Sequence, residues 1–154
     1  MITISDLLGL DHVSLELSAT QPKAAIAEVA ALLKGDPAVL QWDDLVKGVE
    51  ASAPCLPEPG GGFSLCIPHT RGECVSSMVM SVGRSEQGII FPGVELPVRY
   101  LFCIAVPRAL AADYLRIVGL LSRVFKDPTT ESVLRAATTE SEFVDLLARL
   151  EAKL

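Results

Sequence analysis

Apolar and polar positions change period three times along the chain. Val13 to Leu17 alternates apolar with polar, the signature of a strand with one buried face. Thr20 offers a cap and Pro22 a first turn. Ile26, Val29, Ala30 and Leu33 then recur at helical spacing until Gly35 ends the run. Asp36-Pro37 reads as the start of a second helix with an apolar stripe of Val39, Leu40, Leu45, Val46 and Val49, and Trp42 packing near it. Ser52 to Gly62 carries prolines and a Gly-Gly-Gly run, which predicts a loop. Phe63 to Ile67 predicts a buried strand stopped by Pro68, with further strands over Val75 to Val82, Gly88 to Phe91 and Val98 to Val106. The last third is helical again. Leu110, Tyr114, Ile117, Leu121 and Phe125 mark a long helix, Ser132 to Ala137 a short one, and Thr139 with Glu142 a capping box ahead of Phe143, Leu146, Leu147 and Leu150.

Helices, then strands, then helices fit an α/β chain with a mixed sheet between helical layers better than a strict βαβ alternation. The length of 154 residues, half of them hydrophobic, predicts one domain over 1–154 that needs neither disulfide nor metal. No apolar run approaches the roughly 20 residues of a membrane span, and the first residues lack the basic start and apolar stretch of a secretory signal. A cytoplasmic protein with no membrane insertion is expected. Cys55, Cys66, Cys74 and Cys103 form no CxxC pair and read as reduced, mostly structural thiols. A net charge of −6 without a cationic cluster argues against nucleic acid as a partner.

Chemistry narrows to two histidines, because a neutral imidazole is a nucleophile and proton carrier at cell pH. His12 precedes the first strand beside Asp11, where a surface hydrogen bond or a solvated ring accounts for it. His69 is placed differently. It follows a proline at the exit of an apolar strand, near Gly60 to Gly62, with Thr70 and Arg71 directly after it. Pro68 restricts Ile67 to extended backbone and fixes the angle at which His69 leaves the sheet. Phosphoryl transfer asks mainly for position and for donors around three phosphate oxygens, which Arg71, the Thr70 hydroxyl and backbone N–H groups can supply. A solvated or structurally bonded histidine is the plainer alternative. A metal site from Cys66, His69 and Cys74 has poor spacing and no fourth ligand, and no GxSxG elbow supports a hydrolase. No metal or cofactor is implied.

The run Gly62-Phe63-Ser64-Leu65-Cys66-Ile67-Pro68-His69-Thr70-Arg71 resembles the active-site segment of phosphotransferase-system enzyme IIA domains of the fructose/mannitol and nitrogen-regulatory class, the type-2 family. The likeness continues through Gly88 to Phe91, Leu96 to Pro107, Tyr114-Leu115, Phe125-Lys126-Asp127 and Leu134 to Ala137, and at the start through Val13 to Leu17 and Lys23 to Leu33. It implies a mannitol-type IIA architecture, a five-stranded mixed sheet flanked by helices. It also implies a histidine, His69, phosphorylated by a phosphohistidine carrier protein of HPr type. Transport members pass the phosphate to a IIB domain. In nitrogen-regulatory members the phosphorylation state governs binding to a partner such as a transporter or kinase. The absence of a fused IIB or membrane part within these residues favours the regulatory form.

Two departures accompany the resemblance. The arginine that the family carries at the end of the second helix has no counterpart in Lys47 to Ser52, and the second histidine, early in the long C-terminal helix, corresponds to Tyr114. A phenol can donate one hydrogen bond but carries no positive charge. The resemblance places Tyr114 beside His69. The readings are therefore a phosphoryl carrier of regulatory type, a sugar-transport IIA subunit, or a degenerate interaction module of the same fold, and Arg71 divides the first from the last.

Overall fold

The computed structural model describes residues 1–52, 55–56 and 64–154, with 55, 56 and 64 as backbone. The predicted loop over Ser52 to Gly62 and the start of the strand at Phe63 therefore lie mostly outside the described residues.

The strands are β1 (Val13–Ser14), β2 (Cys55–Leu56), β3 (Ser64–Cys66), β4 (His69–Gly72), β5 (Val79–Ile89) and β6 (Val98–Pro107). They occupy five positions in one mixed sheet, because β3 and β4 both run parallel to β6 as two pieces of one strand broken at Ile67-Pro68. Across the sheet the order is β1, β5, β6, then β3 with β4, then β2. β1–β5 is a parallel pair, and β5–β6 and β2–β3 are antiparallel. β6 sits at the centre, and its side chains alternate between two cores. Tyr100, Phe102, Ile104 and Val106 face one, and Leu101, Cys103 and Ala105 the other.

Helices α1 (Ile4–Leu7), α4 (Ala111–Lys126), α5 (Thr130–Arg135) and α6 (Glu140–Ala152) supply the first core, and α2 (Pro22–Ala31) and α3 (Trp42–Ala51) the second. In α6, Phe143, Leu147 and Leu150 are buried and Leu146 is partly so, while Thr139 accepts from the Glu142 N–H at the N-cap. One cation ties the first core together. Arg84 on β5 donates to the carbonyls of Leu15, Leu134 and Ala137 at 3.0, 2.9 and 2.9 Å. The carbonyls of Leu134 and Ala137 lie at the exit of α5, where the helix has run out of its own donors.

Several boundaries differ from the sequence reading. The second helix starts at Trp42, because Asp36 spends its carboxylate on the Ala38 N–H in a turn, and Val39 bridges to Val75. Leu40 is exposed. The N-cap of α2 is Gln21, without a side-chain bond, and the Thr20 hydroxyl does not cap it. Gly88 and Ile89 end β5 and form no separate strand, while Val13 to Leu17 shortens to β1. β4 was absent from the sequence pattern. His-Thr-Arg-Gly has no strand character of its own and is extended because β6 pairs with it.

Candidate functional site

His69 opens β4 opposite Ile104, and the Pro68 carbonyl accepts from the Ile104 N–H at 3.0 Å, so β6 holds the chain on both sides of the break. His69 is thus on a strand, and the expected strand-end loop is replaced by a strand that resumes at the histidine itself. The imidazole is half-buried between two neighbours. On one side lies Tyr114, with ring centroids 4.8 Å apart and planes 31° apart. On the other lies the Ser52 hydroxyl at the C-cap of α3, 3.1 Å from Nδ1 and 3.4 Å from Nε2.

Nδ1 also lies 3.2 Å from the Ile67 carbonyl. A carbonyl can only accept, so this contact is a hydrogen bond when Nδ1 carries the proton, and that tautomer leaves the lone pair on Nε2. Proline is responsible for the geometry. Pro68 keeps Ile67 extended, and the Ile67 carbonyl then turns back to the ring two residues on.

β4 alternates. Arg71, exposed, acts electrostatically on Tyr114 and so shares its side of the strand with His69. Burial pushes the Tyr114 phenol up from its ordinary range, and the positive charge of Arg71 partly offsets this. The phenol is therefore neutral near pH 7 and able to donate. Thr70 faces α3 instead, where a Cβ at Gly48 would meet Thr70 Oγ1 at 2.0 Å. The sequence-derived set His69, Arg71 and Tyr114 comes together on one face, with Thr70 beneath it. Tyr114 is where the resemblance implied.

Ser52 was missed as a neighbour of His69. It is 17 residues away in the chain, and no local spacing signals the contact. Its place follows from α3, whose close approach to β4 at Gly48 brings the helix C-terminus to the ring. His12 is corrected. It is neither solvated nor on the surface but buried, with Nε2 3.2 Å from Asp36 and Nδ1 without a hydrogen-bond partner among the described residues. That pair ties the first strand to the turn after α2, remote in sequence from the His69 cluster.

A cleft of about 790 Å³ opens between α2, α3 and the turn at Phe91 to Val94, and His69 is not in its wall. The half-buried imidazole thus lies outside the lining of that cleft. Among the described residues no helix is long and apolar enough to cross a membrane, and no three His, Cys, Asp or Glu groups converge as metal ligands.

The family described as phosphoenolpyruvate-dependent sugar phosphotransferase system, EIIA 2, matches residues 6–150. A fructose-specific EIIA component of that system from Haloferax volcanii is 34% identical over 92 residues, which are 59% of this chain and 60% of that protein. The chain thus spans less than two thirds of this curated relative. Among solved structures, nitrogen regulatory protein IIA-Ntr from Neisseria meningitidis has a TM-score of 0.78 at 22% identity, covering 94% of this chain and 98% of that one. Enzyme IIA-Mtl of Escherichia coli, solved in complex with phosphorylated enzyme IIB-Mtl, gives 0.72 at 18% identity over 92% and 97% of the two chains. At these identities the structural likeness is one of fold.

Proposed function

Because the chain belongs to the EIIA 2 family of the phosphoenolpyruvate-dependent sugar phosphotransferase system, we propose that it is a phosphoryl carrier, one IIA-type domain whose His69 takes phosphate from a phosphohistidine carrier protein of HPr type. The observation that carries this reading is the Nδ1–Ile67 carbonyl contact, which leaves Nε2 as the nucleophile. The P–N bond to the donor breaks as the bond to Nε2 forms, and Nδ1 keeps its proton against the carbonyl. Positive charge on the phosphorylated ring is then stabilised where it develops.

The new oxygens need donors. Ser52, 3.4 Å from Nε2, is suited to swing from the ring to a phosphate oxygen. Tyr114 supplies a neutral phenol, and its place in the first turn of α4 sets the positive end of that helix's dipole on the same side. Arg71 supplies the charge that the absent arginine would otherwise bring, with Thr70 and backbone N–H groups as further candidates. An Arg71 that shares the His69 face favours the carrier over a degenerate module.

The proposal takes the regulatory form. Phosphorylation adds close to two negative charges at His69, enough to change which partner, such as a transporter or kinase, binds there. A second reading, sugar transport with the phosphate passed to a IIB domain, is favoured by the identity to the fructose-specific component. One experiment tests both. The chain is incubated with phosphorylated carrier protein, and acid-labile, base-stable phosphate is counted before and after a IIB domain is added. His69→Ala should abolish incorporation and His12→Ala should leave it near normal. Loss of label to IIB selects transport. A wild-type chain that stays unlabelled beside a labelled family member refutes the carrier.

A further inference from the structure

We infer that the cleft between α2, α3 and the turn at Phe91 to Val94 is a binding site for a small organic anion, an apolar or aromatic body carrying one carboxylate. Its volume of about 790 Å³ lies within the roughly 300 to 1,000 Å³ of small-molecule sites. Such sites join an apolar surface to a few polar groups that fix orientation. Here Ile26 and Phe91, both buried members of the second core, contribute to the lining, and the more exposed Pro22, Pro92 and Val94 continue the apolar surface outward.

One wall is preformed. The Val94 N–H donates to the Phe91 carbonyl at 3.2 Å across Pro92-Gly93, and Gly93 has a φ of 76°. Proline second and a left-handed glycine third are what a type II turn requires, so this wall keeps its shape without a ligand.

The polar groups come from the two helices. Lys47, Glu50 and Ala51 recur at three- and four-residue spacing and so share one face of α3, while Lys23 comes from the first turn of α2. Among the described residues none of the three charged side chains forms an ion pair, although Lys47 and Glu50 lie one turn apart. Two cations and one carboxylate leave one positive charge in the cleft of a chain whose net charge is −6. A single negative charge completes that set. A neutral ligand would leave both ammonium groups uncompensated, and Glu50 repels a second negative charge, which selects a monoanion over a phosphate dianion. The cleft is separate from the surroundings of His69, because α3 turns a different face to each. Gly48 and Ser52, four residues apart, meet Thr70 and the imidazole, whereas Lys47, Glu50 and Ala51 line the cleft.

The test uses the whole chain and anilinonaphthalenesulfonate, a fluorescent aromatic body whose one sulfonate stands in for the carboxylate. Phenylnaphthylamine, the same rings without the charge, is run beside it. One sulfonated dye per chain is expected, with a Kd on the order of tens of micromolar that tightens as salt is lowered. Lys23→Gln with Lys47→Gln should weaken it about tenfold and leave the neutral dye unchanged, because two partly screened charges are removed and the apolar surface is kept. Lys126→Gln, at the end of α4 on the other side of the sheet, should change neither. Val94→Trp, which fills the cleft, should lose both dyes. Decanoate should displace the sulfonated dye about tenfold more readily than decanol. The dye should also raise the urea midpoint read by Trp42, as a ligand of the folded state does. Unchanged binding in the paired lysine variant, an equal loss in Lys126→Gln, or a lowered midpoint would overturn the site. So would a chain that dimerises and excludes the dye.

Discussion

Replacing Gly48 with alanine in the middle of α3 should destabilise the protein, although helix propensity alone says the reverse. Alanine is favoured over glycine inside a helix by about 1 kcal/mol. Against that stands one contact. The added Cβ would lie 2.0 Å from Thr70 Oγ1 and 2.7 Å from Thr70 Cβ. Turning Thr70 can remove the first clash but not the second, because Cβ does not move with χ1. The helix must therefore retreat from β4 by roughly 1 Å, in an interior packed too tightly to absorb it. Overpacking of this kind costs about 1 to 3 kcal/mol, and the contact at Thr70 Cβ, which no rotamer relieves, sets the expectation at the upper end, a net loss of about 2 kcal/mol after the propensity gain is subtracted. Urea unfolding followed by emission of the single tryptophan, Trp42 at the start of α3, reads this as a lower midpoint at unchanged slope. Thr70→Ala in the same background should recover part of the loss, since it removes Oγ1 and leaves Cβ. The retreat also carries Ser52 away from His69, so phosphate uptake should slow with stability. A Gly48→Ala protein as stable as the parent would show that α3 and β4 do not meet in this way.

Three further outcomes are expected. Leu147→Ala, fully buried on α6, should cost about 2 to 5 kcal/mol in the same unfolding assay, and a loss under half a unit would remove that helix from the core. Tyr114→Phe should keep the ring packing but slow phosphate uptake about tenfold or more, the value of one hydrogen bond to a charged group; an unchanged rate would leave Tyr114 as packing only. Burial pushes the Tyr100 phenol and the Cys103 thiol each up to about 12 from ordinary values of 10.0 and 9.0. The native chain thus holds protons that the unfolded chain releases. Their contribution is full below about pH 9 and is lost as pH rises toward about 12. Unfolding midpoints should fall through that window, and less steeply for Tyr100→Phe.

The long elements were legible because their burial is periodic. α4 and α6 each present one apolar stripe to the sheet, and β6 is a continuous buried run from Tyr100 to Val106 because both its faces are covered there. What misled was local chemistry put to another use. Asp36 before Pro37 has the composition of a helix start, yet its carboxylate closes a turn and its other oxygen meets His12. The tail of β5, Arg84 to Gly88, is too polar to read as strand, and only its place beside β6 keeps it extended at the Arg84 end. At the site, the Pro-His pair, Arg71 and Tyr114 could be named from sequence, the last through family resemblance alone. Ser52 could not, because its contact with His69 exists only after α3 has docked.

The break at Ile67-Pro68 has a mechanical meaning. A histidine on a loop would move with the loop, and its reactivity would vary as the loop breathes. Here the residues on both sides of the break are fastened to the most deeply buried strand of the molecule. The ring is a fixed post. Any conformational control of this site has to act on what surrounds the post, on Ser52 at a helix end or Tyr114 at a helix start, while the target presented to a partner stays at one height above one sheet.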